Sequence, residues 1–307
     1  MKKSGFTLIE LIYVITIMGV VGAIINMTLG QVYYNYAQQK EFSRLESTST
    51  LVITQVKKLL QRSVPNSIMR YSDGGTNEFD SNNYTPLLNI TNGDLKNANE
   101  RLIWLDIDRE SLRGTGPQPY YNQWFNLKTS DGVHMYSVDS DFTKIINTEN
   151  STLLLTGVNS DPAVYYIYGN QQGTPYEKFY NSTQTALFPI DKTQPINNND
   201  FYLTRTPKEI GEMFYIVDTG YSLHLNNKTL MLTHDYQPWT KNGANQETFL
   251  DGTSEILLEN VSEFKYWVEY DTLKIKICVD SKIPIGIDAA GNNRYSSLCK
   301  EAIIGAF

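Results

Sequence analysis

Apolar residues fill the chain almost without interruption from Phe6 to about Gly30, with a single acid, Glu10, near the start. No other charge follows before Lys40. A run of about 25 residues exceeds the ~20 that a bilayer-spanning helix needs. A secretory signal has an apolar core of about 7–15 residues and a small-x-small cleavage site after it. This run is longer, and no Ala-x-Ala closes it. Beyond it the apolar positions thin to a stripe: Phe42, Leu45, Val52, Val56 and Leu59, widened by Ile53 and Leu60. Lys40, Glu41, Arg44, Glu46, Lys57 and Lys58 occupy the other faces, as in an amphipathic helix. The cations Lys57, Lys58 and Arg62 suit a helix C-terminus, and Pro65 stops continuation past about Ser63. One helix from Phe6 to about Arg62 would be about 85 Å long at ~1.5 Å per residue.

After Pro65 the period shortens to two. Arg101–Asp108, Val133–Val138, Thr152–Val158, Ala163–Tyr168, Phe201–Thr204 and Met213–Val217 read as strands, separated by Asn, Gly, Asp and Pro. Two hairpins are clearer. Tyr221–Leu225 pairs with Thr229–Thr233 across Asn226-Asn227. Phe264, Tyr266, Val268 and Tyr270 alternate before Leu273, Ile275, Ile277 and Val279, with Asp271-Thr272 as the connection. Such alternation implies an antiparallel sheet with one buried face, available to the amphipathic half of the helix. The predicted class is α+β. Long loops are expected at Tyr71–Tyr84 and Gly114–Trp124. No internal repeat stands out, and Asn197-Asn198-Asn199 reads as a short polar turn.

Net charge is -7 with 26 Lys+Arg, so bulk charge does not indicate a nucleic-acid-binding surface. The three histidines, His134, His224 and His234, form no HExxH, and no GxSxG, CxxC or P-loop pattern occurs. They read as surface or half-buried strand residues, and catalysis is not expected. Asp73-Gly74-Gly75-Thr76-Asn77-Glu78-Phe79-Asp80 carries the oxygen ligands calcium takes but lacks EF-hand spacing. A solvated loop is the simpler reading and no cofactor is predicted, with calcium as the alternative. Asp106, Asp108 and Glu110 read as a solvated strand edge. The pairs Tyr120-Tyr121, Trp124-Phe125 and Tyr165-Tyr166 suit core packing as well as a binding face.

The order Lys2-Lys3-Ser4-Gly5-Phe6-Thr7-Leu8-Ile9-Glu10, leading into a long apolar run, closely resembles the class III signal of type IV pilins and pseudopilins. The resemblance covers about Lys2 to Ile25. It implies removal of Met1–Gly5 by a prepilin peptidase and N-methylation of Phe6. It also implies subunit assembly through Glu10, whose partner in the family is the Phe6 amine of a neighbouring subunit or a related intersubunit contact. The implied organisation is a leader 1–5, a transmembrane and assembly half 6–30, an amphipathic half 31–63 and a periplasmic β-rich head 64–307. Lys2 and Lys3 keep the N-terminus cytoplasmic, so the head would lie in the periplasm. The family proline of the mid-helix zone is missing, with Met27 or its neighbours filling that zone, so Gly19 and Gly22 are not expected to break the helix despite their cost of ~1 kcal/mol each.

The sole cysteines, Cys278 and Cys299, most simply form a disulfide in an oxidising compartment, with two free buried thiols as the alternative. Pilins commonly have a disulfide-closed loop near the C-terminus, and Pro284, Gly286, Gly291 and Asn292-Asn293 suit a loop. Ile256–Phe264 is similar to the element before the last strands of large minor pilins and J-type or W-type pseudopilin-like proteins. The resemblance implies a minor pilin or pseudopilin that initiates, caps or modifies a type IV pilus or type II secretion pseudopilus. The implied partners are other pilin or pseudopilin subunits, the prepilin peptidase, the inner-membrane assembly platform and membrane lipid. Alternatives are a tip adhesin or DNA-uptake pilin, and a membrane-anchored periplasmic enzyme.

Overall fold

The computed structural model describes residues 7–72, 79–91, 93–95, 99–113, 119–146, 162–167, 173–181, 186–242, 245–287 and 291–306. One helix, α1, runs unbroken from Leu8 to Leu60. Gly19 and Gly22 lie inside it without interrupting it. A turn carries the chain through Arg62, where Arg62 N donates to Leu59 O. The strands then follow in chain order. Met69–Ser72 (β1), Tyr84–Pro86 (β2), Gly93–Asp94 (β3) and Glu100–Ile107 (β4) come first. His134–Tyr136 (β5), Ala163–Tyr166 (β6), Leu187–Pro189 (β7) and Asp200–Tyr202 (β8) occupy the middle. Phe214–Asn226 (β9), Thr229–Tyr236 (β10), Lys241–Asn242 (β11) and Asn245–Gln246 (β12) lead to the last four: Thr253–Leu258 (β13), Val261–Glu269 (β14), Thr272–Ile287 (β15) and Asn293–Ala306 (β16). The expected strand Thr152–Val158 lies outside the described residues.

The chain divides into two compact units: the helix through Thr48 with Asp280–Leu298, and Ser49–Val279 with the chain from Cys299. In the second unit an eight-stranded antiparallel sheet runs β13-β10-β9-β4-β1-β2, with β6 pairing β9 and β7 pairing β6. A smaller sheet has the order β16-β15-β14-β3.

Strand β9 joins two segments that the pattern separates, Met213–Val217 and Tyr221–Leu225, into one strand of 13 residues. Asp218-Thr219-Gly220 reads as a break, but Gly220 has a packing role. A Cβ there would lie 2.5 Å from Cε2 of the buried Tyr236 ring, so only glycine admits that ring against the strand. Both hairpins form with turns one residue from the expected place. Asn227-Lys228 and Tyr270-Asp271 take the positive φ that two-residue turns require. Leu223 still opposes Leu232, and Tyr266 opposes Ile275. The stretch Val133–Val138 shortens to β5, Phe201–Thr204 to β8 and Ala163–Tyr168 to β6.

The expectation of a single buried face fails at the centre of the large sheet. All four residues of β6 are buried, and they alternate between two cores. Ala163 and Tyr165 join Ile103, Leu105, Phe179 and Val217. Val164 and Tyr166 join Phe125, Phe142, Phe201, Phe214 and Ile216 on the opposite face. The long stretch before β9 therefore supplies a second apolar layer over one end of the sheet, and Tyr121, Phe125 and Tyr165 are core residues.

Candidate assembly site

The helix begins with a local hydrogen-bonded unit. Thr7 N and Thr7 Oγ1 donate to Glu10 Oε2 at 3.1 and 2.9 Å, and Glu10 N donates to Thr7 Oγ1 at 3.4 Å. This is a capping box, in which a threonine and a glutamate three residues on satisfy backbone donors that a helix start leaves open. Thr7-Leu8-Ile9-Glu10 spells that signal in the sequence, a local role for Glu10 besides the intersubunit one expected of it. Gly5 and Phe6 lie outside the described residues.

From Leu8 to Tyr36 every large apolar side chain is exposed, from Leu8 at 76% to Tyr36 at 64%. None of the helix's most apolar part is buried. The hydroxyls of Thr16 and Thr28 donate to Ile12 O and Ile24 O at 2.8 and 2.9 Å, so these polar groups are satisfied within the helix. Such a stretch has no water-soluble face and requires lipid or other apolar helices around it.

The outer part of α1 is different. Ser49, Val52, Ile53, Val56 and Leu60 are buried at helical spacing, whereas Phe42 is exposed and Leu59 half-buried. The buried stripe thus runs through Ser49 and Leu60 rather than through Phe42 and Leu59. At the helix end, Arg62 Nη2 lies 2.8 Å from Asp106 Oδ2. Ile107 N donates to Arg62 O at 2.9 Å and Arg109 Nη2 to Gln61 O at 2.7 Å, which ties the turn after the helix to β4 and the residues after it.

This overturns the reading of Asp106 and Asp108 as a solvated strand edge. Both are buried, with Asp218 of β9 beside them. Burial raises the Asp106 carboxyl to about 7, opposed by the Arg62 cation and reinforced by Asp108. Burial and these two acids also push Asp218 up. Asp108 Oδ1 accepts from Ser111 N at 3.0 Å and so begins the short helix Arg109–Arg113. The signal was present: Leu102-Ile103-Trp104-Leu105 is an unbroken apolar run, the mark of a strand covered on both faces. The run marks the strand as internal, while the burial of the acid after it is set by the strands that flank β4.

One histidine, His224, departs from the surface or half-buried reading, whereas His134 and His234 are half-buried strand residues. His224 is buried in β9, where Arg101 Nη1 lies 3.1 Å from its Nδ1, and burial and that cation lower its pKa to about 4. His234 falls within β10 instead of after a strand. His134 is half-buried and stacks on Tyr202 at 4.6 Å. Among the described residues no three His, Cys, Asp or Glu side chains are grouped to hold a metal ion. Most of the Asp73–Asp80 segment lies outside the described residues. Asp80 itself accepts from Asn82 N at 2.9 Å, starting a short 3-10 turn.

Near the C-terminus, Cys278 of β15 is bonded to Cys299 of β16, 21 residues on. The segment between them was expected to be a loop, but β15 continues through Pro284 to Ile287 and β16 begins at Asn293. In the unit that holds this end of the hairpin, Lys282 N donates to Glu41 Oε1 at 2.9 Å and Tyr34 Oη to Pro284 O at 3.1 Å. A proline has no N–H to lose, and its carbonyl is used here by the helix.

No curated protein and no solved structure matches the chain. The family model of the prokaryotic N-terminal methylation motif matches residues 1–26. That stretch contains Gly5, Phe6 and the Thr7–Glu10 capping box, and the helix that starts within it, among the described residues the one long and apolar enough to cross a membrane, fits an inner-membrane-anchored pilin. Residues 1–26 carry the class III signal peptide of type IV pilins, which supports a type IV pilin-like protein.

Proposed function

We propose that this chain is a structural minor pilin or pseudopilin that initiates, caps or modifies a type IV pilus or a type II secretion pseudopilus. One observation carries the reading: the methylation motif leads directly into a helix whose apolar side chains from Leu8 to Tyr36 are all exposed. A subunit built this way must exchange lipid for the helices of neighbours. The size of the head, residues 64–307, argues for low abundance, because many heads must pack around a thin filament.

In this reading a prepilin peptidase cuts between Gly5 and Phe6 on the cytoplasmic side, and Phe6 is N-methylated. Glu10 then leaves its capping box to meet the Phe6 amine of a neighbour. An acid inside a bilayer costs roughly 2.5 kcal/mol or more, so pairing rewards the correct axial register. The head folds in the periplasm, where Cys278 and Cys299 oxidise, and the assembly platform supplies the other subunits. N-terminal mass spectrometry of membrane fractions should find a mature chain beginning at methylated Phe6. A chain beginning at Met1, or after Gly30, would overturn the reading. Glu10→Ala should leave insertion, cleavage and head folding intact while its co-purification with partner subunits is lost.

A further inference from the structure

We infer that the head binds a neutral glycan in the open cleft formed by the β5–β8 pair, the turn before β8 and the short helix Thr143–Ile146. The methylation motif does not imply such a site, and the inference holds whether the chain serves a pilus or a pseudopilus. The cleft measures about 440 Å³, within the range of small-ligand sites. Tyr136 and Asp200, which oppose each other in the β5–β8 pair, line it together with the polar turn Asn197-Asn198-Asn199.

The turn is fixed by its backbone. Ser137 N donates to Asn199 O and Phe142 N to Asn198 O, both at 2.8 Å. Asn197 N donates to Asp200 O at 3.0 Å, and Asn197 Nδ2 to Asp200 Oδ1 at 2.6 Å. These bonds use backbone carbonyls and the Asn197 side chain, and leave the next two amides over. Asn198 Oδ1 meets the Thr143 hydroxyl at 3.5 Å. Among the described residues no partner holds the Asn199 amide or the Tyr136 hydroxyl. A side-chain amide carries two donors and an acceptor with two lone pairs. Groups held in place beforehand lose little freedom when a ligand arrives.

This donor and acceptor set selects the ligand class. Sugar hydroxyls both donate and accept, and two amides with a phenol answer them in kind. The half-buried Tyr136 and Ile196 add apolar surface for the C–H face of a sugar ring. Charge argues against anionic ligands. Asp200 is the charged residue of the lining, and no cation accompanies it there. Lys144, on the adjoining helix, is paired with Asp141 at 2.9 Å. A sialylated or sulfated glycan would call for cations in the cleft. Ile196 is the aliphatic residue of the lining, which leaves no apolar pocket for the side chains of a peptide.

The experiment uses the full chain in phospholipid nanodiscs, free of glycoside detergent. It is applied to a printed array of neutral, sialylated and sulfated glycans, with extended peptides as further spots. Retention is expected on neutral glycans. Asn199→Ala keeps the backbone carbonyl that Ser137 N uses, so its melt should match the native one while retention falls about tenfold. Tyr136→Phe keeps the ring and should lower retention several-fold. Absence of retention on every glycan would overturn the inference. So would stronger retention on charged glycans or on peptides, or undiminished retention by both variants.

Discussion

The two ends of α1 follow the same backbone rule in different solvents. Between Leu8 and Tyr36 the helix exposes every large apolar side chain, whereas at Val56 and Leu60 exposure falls to 0%. Hydrogen bonding from residue i to i−4 is local and holds in both. Burial is what differs, and with it the cost of charge. Near the first end stands one acid, Glu10, satisfied by its own Thr7 and available for exchange. At the other, Arg62 faces Asp106 with Asp108 and Asp218 behind it, and no exchange is available. On the proposed reading the first end changes partners during assembly, whereas the second keeps them.

The largest test of that contrast is Arg62→Ala. Removing one partner of a buried ion pair typically costs ~3–5 kcal/mol, because the remaining charge is left uncompensated. The cost should depend on pH. The Asp106 carboxyl is raised to about 7 in the fold, mainly by burial, while in the unfolded chain it titrates near 4. A raised acid stabilises fully below its unfolded value, and that contribution is lost as pH rises through the folded one. The native protein should therefore be more stable near pH 5 than near pH 8. Arg62→Ala should widen that gap, since Arg62 is what holds the carboxyl down. Denaturant titrations at both pH values measure it, and an equal loss at each would contradict the clamp. Glu10→Ala in the same assay should leave stability unchanged.

Next in size is a matched truncation along one helix. Leu60→Ala empties a fully buried site and should cost ~2–5 kcal/mol in head stability. Leu11→Ala removes the same atoms from an exposed site and should leave the melt of the head unchanged. If both variants shifted the melt alike, the division of the helix into two environments would be wrong.

Reduction of Cys278–Cys299 should come third. Closing a loop of this size stabilises by roughly 3 kcal/mol on the chain-entropy account. The contact tests the outer region alone, so a thermal melt of the full chain in detergent, with and without reductant, should shift while helix content in the span does not.

What could be read from the sequence divides along the same line. The bare half was legible because a bilayer demands one thing, a long apolar run, and Phe6–Gly30 supplies it. The hairpins were legible because strict alternation at Leu223, Leu225, Leu230 and Leu232 survives a one-residue error in the turn. Asp106 was misread because a two-state pattern treats any acid as solvated. Its burial depends on β9 and β1 flanking β4, a long-range pairing that no local window contains. The hairpin end was misread for a related reason. Pro284 and Gly286 do signal loops, but Pro284 tolerates an extended backbone, and its carbonyl is bound by Tyr34, 250 residues earlier. The capping box is wholly local, and the spacing Thr7-x-x-Glu10 carries it; the apolar run it opens offers no other polar group to mark a helix start.

The smallest effect concerns Glu41, which lies just past the bare stretch and joins the helix to the hairpin. Its Oε1 lies 2.7 Å from Arg44 Nη2 and accepts Lys282 N at 2.9 Å. The Arg44 hydrogen bond is the leading cause that lowers this carboxyl to about 2, with burial opposing it and the Lys282 amide assisting. A depressed acid contributes stability above its unfolded value and loses it as pH falls through the folded one. The contribution should therefore fade between about pH 4.5 and 2, opposite in direction to Asp106. Arg44 is largely solvated, so the pair should be worth under about 1 kcal/mol. Global melts will hardly register that, but amide exchange will. Glu41→Gln keeps an acceptor for Lys282 N and should leave its exchange nearly unchanged at neutral pH, whereas Glu41→Ala removes the acceptor and should speed it several-fold. If Lys282 exchanged equally fast in all three proteins, Glu41 would not be what holds the hairpin to the helix.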